Sequence, residues 1–159
     1  ASFYTYGPRQ SVRAVIPSLI TQILAGKDVI ALGSLAPTRD FNFVLDTCSA
    51  FIAVAQSHLS IGRVLNSASN FEISIGDLVD LISSITSRDF DIQEESRRLR
   101  PHDSEVFRLY GDNALLRELT DWSPRYGGLD GFRRGLEQTI EWFSASSNLA
   151  YYSSSSFFT

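Results

Sequence analysis

"SFYTYGPRQS", residues 2–11, places an aromatic and β-branched run, Phe3-Tyr4-Thr5-Tyr6, directly before the turn pair Gly7-Pro8. Such a run reads as the end of a buried strand. Chain ends are ordinarily polar, frayed and dispensable, so a buried strand end at the start needs partners from elsewhere. The sequence that follows decides what kind of sheet they belong to.

In "VRAVIPSLITQILAGK" (12–27), Val12, Val15, Ile16, Leu19, Ile20 and Ile23 recur at helical spacing, with Pro17 tolerated in the first turn and Gly26 a natural stop. "DVIALGS" (28–34) predicts a short strand. "FNFVLDTCSAFIAVAQSH" (41–58) begins extended and turns helical from about Asp46, and "GRVLNSAS" (62–69) reads as another buried strand. Ser74 followed three residues on by Asp77 is a capping-box variant opening a helix with Leu78, Leu81, Ile82 and Ile85 on one face. "DFDIQEE" (89–95) alternates as a strand does. "DNALLRELTDW" (112–122) offers an Asp or Asn cap and a short helix. "LDGFRRGLEQTIEWF" (129–143) carries the clearest helical stripe, Leu129, Phe132, Leu136, Ile140 and Phe143. From Ser144 to Thr159 the chain is rich in Ser and aromatics, a tail expected to be loosely docked or disordered.

Strands separated by helices imply parallel pairing, and parallel strands are normally buried within larger sheets. An α/β chain with at least three strands and no evident way of closing a sheet by itself behaves as part of one.

Composition narrows the function. At 159 residues the chain has room for one domain with a real core, and 43% hydrophobic with 20% charged residues is ordinary for a globular protein. A net charge of −4 and an isoelectric point near 5.1 argue against a nucleic-acid partner. No apolar run is long enough to span a bilayer, so no membrane role is expected. A single cysteine, Cys48, excludes an intrachain disulfide and points to a reducing, cytoplasmic setting. Set in an apolar stretch, Cys48 reads as a small buried side chain and not as a nucleophile. His58 and His102 have no metal-type spacing and read as surface residues. "EESRRLRPHD" (94–103) gathers Arg97, Arg98 and Arg100 behind two acids. A solvated loop of local ion pairs accounts for it, as it does for Thr38-Arg39-Asp40. Arginine is also the side chain whose planar fork grips a diphosphate.

Seven segments in this order resemble a known family: "TYGPRQS" (5–11), "VIPSLI" (15–20), "LGSLAPTRDFNFVLD" (32–46), "ISIGDLVDLI" (73–82), "RLRPHDSEVFRLYGDN" (98–113), "DWSPRY" (121–126) and "GLEQTIEWF" (135–143). The chain is similar to the extended short-chain dehydrogenase/reductases, the NAD-dependent sugar-nucleotide epimerases and dehydratases. Within them it looks most like the 4,6-dehydratases acting on UDP-N-acetylglucosamine-type substrates. The resemblance implies an α/β C-terminal substrate-binding lobe carrying a few strands of the Rossmann sheet (residues 1–143), followed by the tail (144–159). The glycine-rich nucleotide loop and the Tyr-x-x-x-Lys pair that precede "YGP" in the family are not among these residues, so the chain reads as the substrate-binding half of such an enzyme, inactive alone. The alternative is a non-enzymatic remnant serving as a binding or assembly module.

Carried over position by position, the resemblance puts Arg39 and Arg100 on the nucleotide diphosphate and Phe3 beside the nicotinamide of NAD. Ile30 and Leu32 fall along the nucleobase pocket, and Ile16 and Pro17 at a helix start whose backbone faces the nucleotide. Plain core packing explains the aliphatic positions equally well. Tyr4 stands where the family has an asparagine on the sugar diphosphate, and Ser67-Ala68-Ser69-Asn70 replaces a run with two glycines. The implied ligand is a nucleotide sugar, a UDP-sugar by preference. The exposed strand edges and apolar faces of a half-sheet make a homo-oligomer the expected state.

Overall fold

The computed structural model describes residues 1–2, 4–95 and 106–154, with side chains through Tyr152. The elements in chain order are β1 (Thr5–Tyr6), α1 (Val15–Leu24), β2 (Val29–Leu32), β3 (Thr38–Asp40), β4 (Asn42–Phe43), α2 (Val44–Gln56), a 3-10 turn (His58–Ser60), β5 (Glu72–Ser74), α3 (Ile75–Thr86), β6 (Asp91–Glu94), β7 (Arg108–Leu109), α4 (Ala114–Leu119), α5 (Gly128–Ser144) and α6 (Ser146–Ser154). The α/β class and the parallel pairing are as expected from the alternation of elements. β1 runs parallel to β4, β2 to β6 and β3 to β7, and β5 lies on the other edge of β3. The strands form small separate sheets of two or three members.

The chain divides into two compact units, each assembled from three stretches of sequence. The first comprises Ala1–Gly7, Thr38–Ile73 and Arg108–Gly135. Its interior is aromatic. Tyr6, Phe41, Phe43 and Phe132 are all buried, with Tyr6 5.2 Å from Phe132 and 5.3 Å from Phe43 between ring centroids, and Phe41 stacked on Phe132 at 5.8 Å. Gly135 fits against this cluster because it has no side chain: a Cβ there would run into the Tyr6 hydroxyl. A second cluster joins Ala50, Leu65, Leu116 and Trp122.

The second unit comprises Pro8–Pro37, Ser74–Phe107 and Leu136–Thr159. Its buried residues are mostly aliphatic: Ile16, Leu19, Ile20 and Ile23 on α1, Ile30 and Leu32 on β2, Leu78, Val79 and Ile82 on α3. α1 ends at Gly26, which takes a left-handed φ of 74° that favours glycine. α1 packs on β2, and Gln22 locks the two together: its amide nitrogen donates to the Ala31 carbonyl (3.2 Å) while its amide oxygen accepts from the Ala31 N–H (3.0 Å). The α3 cap forms as the sequence predicts, with the Asp77 N–H donating to Ser74 Oγ at 3.0 Å.

Several expectations are corrected. Residues 62–69 form no strand; Ser67 makes only an isolated bridge to Ser2, and Val64 is exposed. The reason is that N–H groups at the end of this run go to side chains and not to a ladder, as Ser69 shows below. Thr38–Asp40, read as a loop, is instead the central strand of the three-stranded sheet. α2 starts at Val44, directly after β4, two residues before the start expected at about Asp46. Leu129, placed on the core stripe of α5, is exposed, whereas Phe132, Leu136 and Phe143 are buried. Cys48 is exposed on α2. The serine-rich tail continues as α6, whose Tyr152 is buried with its ring 5.1 Å from that of Phe143.

Candidate functional site

β3 sets two charged residues side by side, and both are buried. Arg39 is 7% exposed. Its Nη1 donates to the Thr38 carbonyl at 2.8 Å, and its guanidinium lies 5.7 Å from the centre of the Tyr4 ring, a cation–π contact. Tyr4 meets Phe41 edge-on at 6.2 Å. Tyr4 and Arg39, which sequence reasoning assigned to the same diphosphate from 35 positions apart (residues 4 and 39), are thus in contact.

Asp40, on the alternate face of the strand, is fully enclosed and collects four donors. Its Oδ1 accepts from the Ser69 N–H (2.9 Å) and Ser69 Oγ (2.7 Å), its Oδ2 from the N–H groups of Asn70 (3.1 Å) and Gly111 (3.2 Å). Loss of water around it raises the Asp40 carboxyl above the ordinary aspartate range, against the pull of these bonds. Asn70 takes a left-handed φ of 55°, which asparagine tolerates, and its Oδ1 accepts from the Asn113 N–H at 3.0 Å. Asn113 in turn donates to the Ala68 carbonyl at 2.8 Å. Ser69 and Asn70 are therefore a polar clasp around Asp40, while Ser67 Oγ accepts from Asn42. Sequence reasoning missed Asp40, Ser69, Gly111 and Asn113; the visible signal was an acid directly after Arg39, with the adjacent pair Ser69-Asn70 able to answer it.

Asp46 does for another segment what Asp40 does here. It accepts from the N–H groups of Arg125 (3.0 Å) and Tyr126 (2.8 Å), and burial raises its carboxyl as well. Asn42 donates to Thr47 Oγ1 (2.8 Å) and Ser67 Oγ (2.9 Å). The edge of the three-stranded sheet is tied by Glu72, which accepts from Thr38 Oγ1 (2.8 Å) and from the Arg108 guanidinium (2.6 Å). Arg108 beside it, then Thr38, holds the Glu72 carboxyl below its usual range.

Ile16, Pro17, Ile30 and Leu32 all lie in the second unit, where each is buried or nearly so. α1, which carries the first two, has no side-chain cap and no acidic residue in its first turn, so the positive end of its dipole is not compensated there. Phe3 and Arg100, expected beside the nicotinamide ring and on the diphosphate, lie outside the described residues, as does His102; His58 is exposed. Among the described residues no cluster of His, Cys, Asp and Glu is arranged for a metal ion, and no helix is long and apolar enough to cross a membrane.

A family model described as GDP-mannose 4,6 dehydratase matches residues 1–135. The chain belongs to this family. The structural features just described, Arg39 with Tyr4 and the clasp on Asp40, fall inside the matched span. Similar proteins are sugar-nucleotide enzymes. The UDP-N-acetyl-alpha-D-glucosaminuronate decarboxylase of Bacillus cytotoxicus is 30% identical over 146 residues, which is 89% of this chain and 44% of that one. The dTDP-glucose 4,6-dehydratase of Bacillus anthracis, solved in complex with NAD, superposes with a TM-score of 0.76 at 27% identity, over 92% of this chain and 44% of that one. The UDP-N-acetylglucosamine 4-epimerase of Methanobrevibacter ruminantium, solved with UDP-N-acetylmuramic acid, gives 0.73 at 30% identity, over 89% and 44%. The chain spans less than half the length of the curated relatives it matches.

Proposed function

We propose that this chain is the nucleotide-sugar-binding lobe of an NAD-dependent sugar-nucleotide dehydratase or epimerase of this family, with a UDP-sugar the preferred ligand. The observation that carries the proposal is the buried Arg39, fixed by the Thr38 carbonyl and the Tyr4 ring on the central strand of its sheet. A guanidinium held in that way is pre-organised for the bidentate contacts a diphosphate accepts. In the second unit, taken by itself, Val15 and Ile16 at the uncapped start of α1 carry backbone N–H groups of the kind that favour phosphate, while Pro17, which has no N–H, fixes the first turn. Ile30 and Leu32, proposed for the nucleobase from the resemblance, are packed in the core of the second unit at 0% and 2% exposure, and Arg100 is the proposed second arginine. NAD is the proposed cofactor, held mainly by groups outside this chain and touched by Phe3; none of the described residues is assigned to it, and no hydride step is derived from them. The isolated chain is proposed to be without turnover, cytoplasmic and self-associating.

Tyr4 favours one further reading. Its ring covers a face of the Arg39 guanidinium, which suits a non-catalytic binding or assembly module in which that cation no longer meets a phosphate. Titration of UDP and of UDP-N-acetylglucosamine into the wild-type chain, Arg39→Ala and Tyr4→Asn separates the two. If Arg39 grips the diphosphate, Arg39→Ala weakens binding by roughly tenfold to a hundredfold. Equal affinity in wild type and Arg39→Ala, or no binding by either wild type or Tyr4→Asn, overturns the nucleotide-sugar assignment. Binding gained only in Tyr4→Asn supports the module.

A further inference from the structure

α6 is held to the second unit by very little. Ser146, Ser147, Ala150 and Tyr151 are exposed and Asn148 and Leu149 half-buried; among its described side chains Tyr152 alone is buried. Nine residues rich in serine make a helix too short to persist in water without an anchor. Asn148 fixes where α6 begins: its Nδ2 donates to the Trp142 carbonyl at 2.8 Å and its N–H to the Ala145 carbonyl at 2.9 Å. The anchor is the Tyr152 ring, 5.1 Å from that of Phe143 and 6.1 Å, edge-on, from that of Trp142.

Beside this anchor lies a strained stretch of backbone in the same unit. Arg9 takes a left-handed φ of 68°, a conformation that arginine seldom adopts and that persists only where its surroundings hold it. Ser87, also left-handed, is by contrast the ordinary end of a helix. Burial first, and the Tyr151 hydroxyl second, push the Tyr152 hydroxyl up, and the Arg9 guanidinium is near enough to pull against them. From Arg9 a short path leads to α1. Val12 is buried, the Ala14 N–H donates to the Ser11 carbonyl at 3.0 Å, and the Ser18 N–H donates to the Ala14 carbonyl at 3.0 Å. The turn thus closes directly onto the first helical bond, and a change of φ at Arg9 swings Val15 and Ile16 with it.

We propose that α6 is a latch whose pin is Tyr152: docked on Phe143 and Trp142, it holds the Arg9 turn in its left-handed form and so sets the start of α1. Tyr152 is then a positioning residue for the Val15 and Ile16 N–H groups proposed for phosphate. That consequence rests on the nucleotide-sugar reading, whereas the ordering of the turn does not. Because one side chain carries the docking, α6 releases as a unit, and its release loosens the start of α1 without disturbing the far end.

Amide hydrogen exchange of the full chain, followed residue by residue by NMR without ligand, tests the latch. In Tyr152→Ser the Ala14 and Ser18 amides are expected to exchange roughly tenfold faster or more, while the Ala25 amide, bonded to Thr21 at the far end of α1, keeps its wild-type rate. Tyr152→Phe, which keeps the ring, is expected to match the wild type, as is Tyr151→Ser at the exposed neighbour. Adding Arg9→Asn to Tyr152→Ser is expected to slow Ala14 again, since asparagine takes the left-handed backbone readily and no longer needs the pin. UDP titrated into the same variants is expected to bind roughly tenfold more weakly to Tyr152→Ser and to recover in the double variant. Unchanged exchange at Ala14 in Tyr152→Ser, equal acceleration at Ala14 and Ala25, or no recovery with Arg9→Asn overturns the latch. UDP bound equally by the wild type and Tyr152→Ser overturns its role in positioning the phosphate. A wild type that binds no UDP overturns the nucleotide-sugar reading instead, and the exchange rates then decide the latch by themselves.

Discussion

The two units are built on different principles. In the second, helices and strands bury aliphatic stripes, and local devices such as the Ser74 cap and the Gln22 amide hold neighbouring elements. In the first, an aromatic cluster is surrounded by buried carboxylates that gather N–H groups from distant segments. Asp40 reaches residues 69, 70 and 111, and Asp46 reaches 125 and 126. Periodic burial stabilises elements; a buried carboxylate stabilises irregular backbone, which has no ladder of its own. The first unit is therefore the one that can present loops and a buried arginine, and the one with more to lose from a single polar change.

The largest effect expected is from Phe132→Ala, which removes the ring that Tyr6, Phe41 and Phe71 all meet. A loss of ~3–5 kcal/mol is expected from urea unfolding, with loss of the part of the near-ultraviolet circular dichroism that this aromatic cluster contributes. Leu78→Ala in the second unit is expected to cost stability on a similar scale, ~2–5 kcal/mol, with that aromatic signal retained at temperatures where the variant is folded. Loss of the signal in both would show that the contrast between the units is not real.

Asp40→Ala comes next. It leaves the N–H groups of Ser69, Asn70 and Gly111 without their acceptor, and ~2–3 kcal/mol is expected to be lost near neutral pH. The pH dependence has a definite sign. Because burial raises the folded-state carboxyl above 3.8, the folded chain holds the proton more tightly than the unfolded one. The contribution of this titration to stability is therefore complete below pH 3.8 and is lost as pH rises through the folded value. Unfolding measured from pH 3.5 upward should show the wild type losing stability relative to Asp40→Ala across that window. The opposite slope would mean that the four hydrogen bonds outweigh burial and that Asp40 is held below, and not above, its usual range.

The smallest effect belongs to a local device of the second unit. Ser74→Ala removes one cap on α3 and is expected to cost about 1 kcal/mol, with no change in the aromatic signal. A cost near that of Asp40→Ala would erase the distinction between a local cap and a long-range clasp.

Where burial follows a period, the elements were legible. α1, α3 and α5, the strands at 29–32 and 91–94, and parallel pairing follow from spacing, because a helix face or a short apolar run states its own partner side. The same logic failed at 62–69, where an apolar-looking run with Leu65 and Ala68 buried serves as an irregular segment with Ser69 turned to a carboxylate. It failed again on α2, where Cys48 looked buried in an apolar stretch and is exposed, because apolar residues spread over both sides of a helix do not say which side faces inward. Of the site, Arg39 and Tyr4 were named from the sequence, but not that they touch each other, and Asp40 was given no role beyond a solvated loop of local ion pairs.

The sequence by itself determined the family, the α/β class and the positions of the aliphatic helices, since these rest on short-range spacing and on motifs kept in order. Only the tertiary structure decided that Asp40 and Asp46 hold the loops, that Ser69 and Asn70 clasp Asp40, and that α2 keeps an uncharged face toward solvent. The physical reason is distance along the chain. A hydrogen bond between residues 40 and 111, or between 46 and 126, leaves no local periodicity, and which face of a helix with apolar residues on both sides is covered depends on what the rest of the chain brings to it.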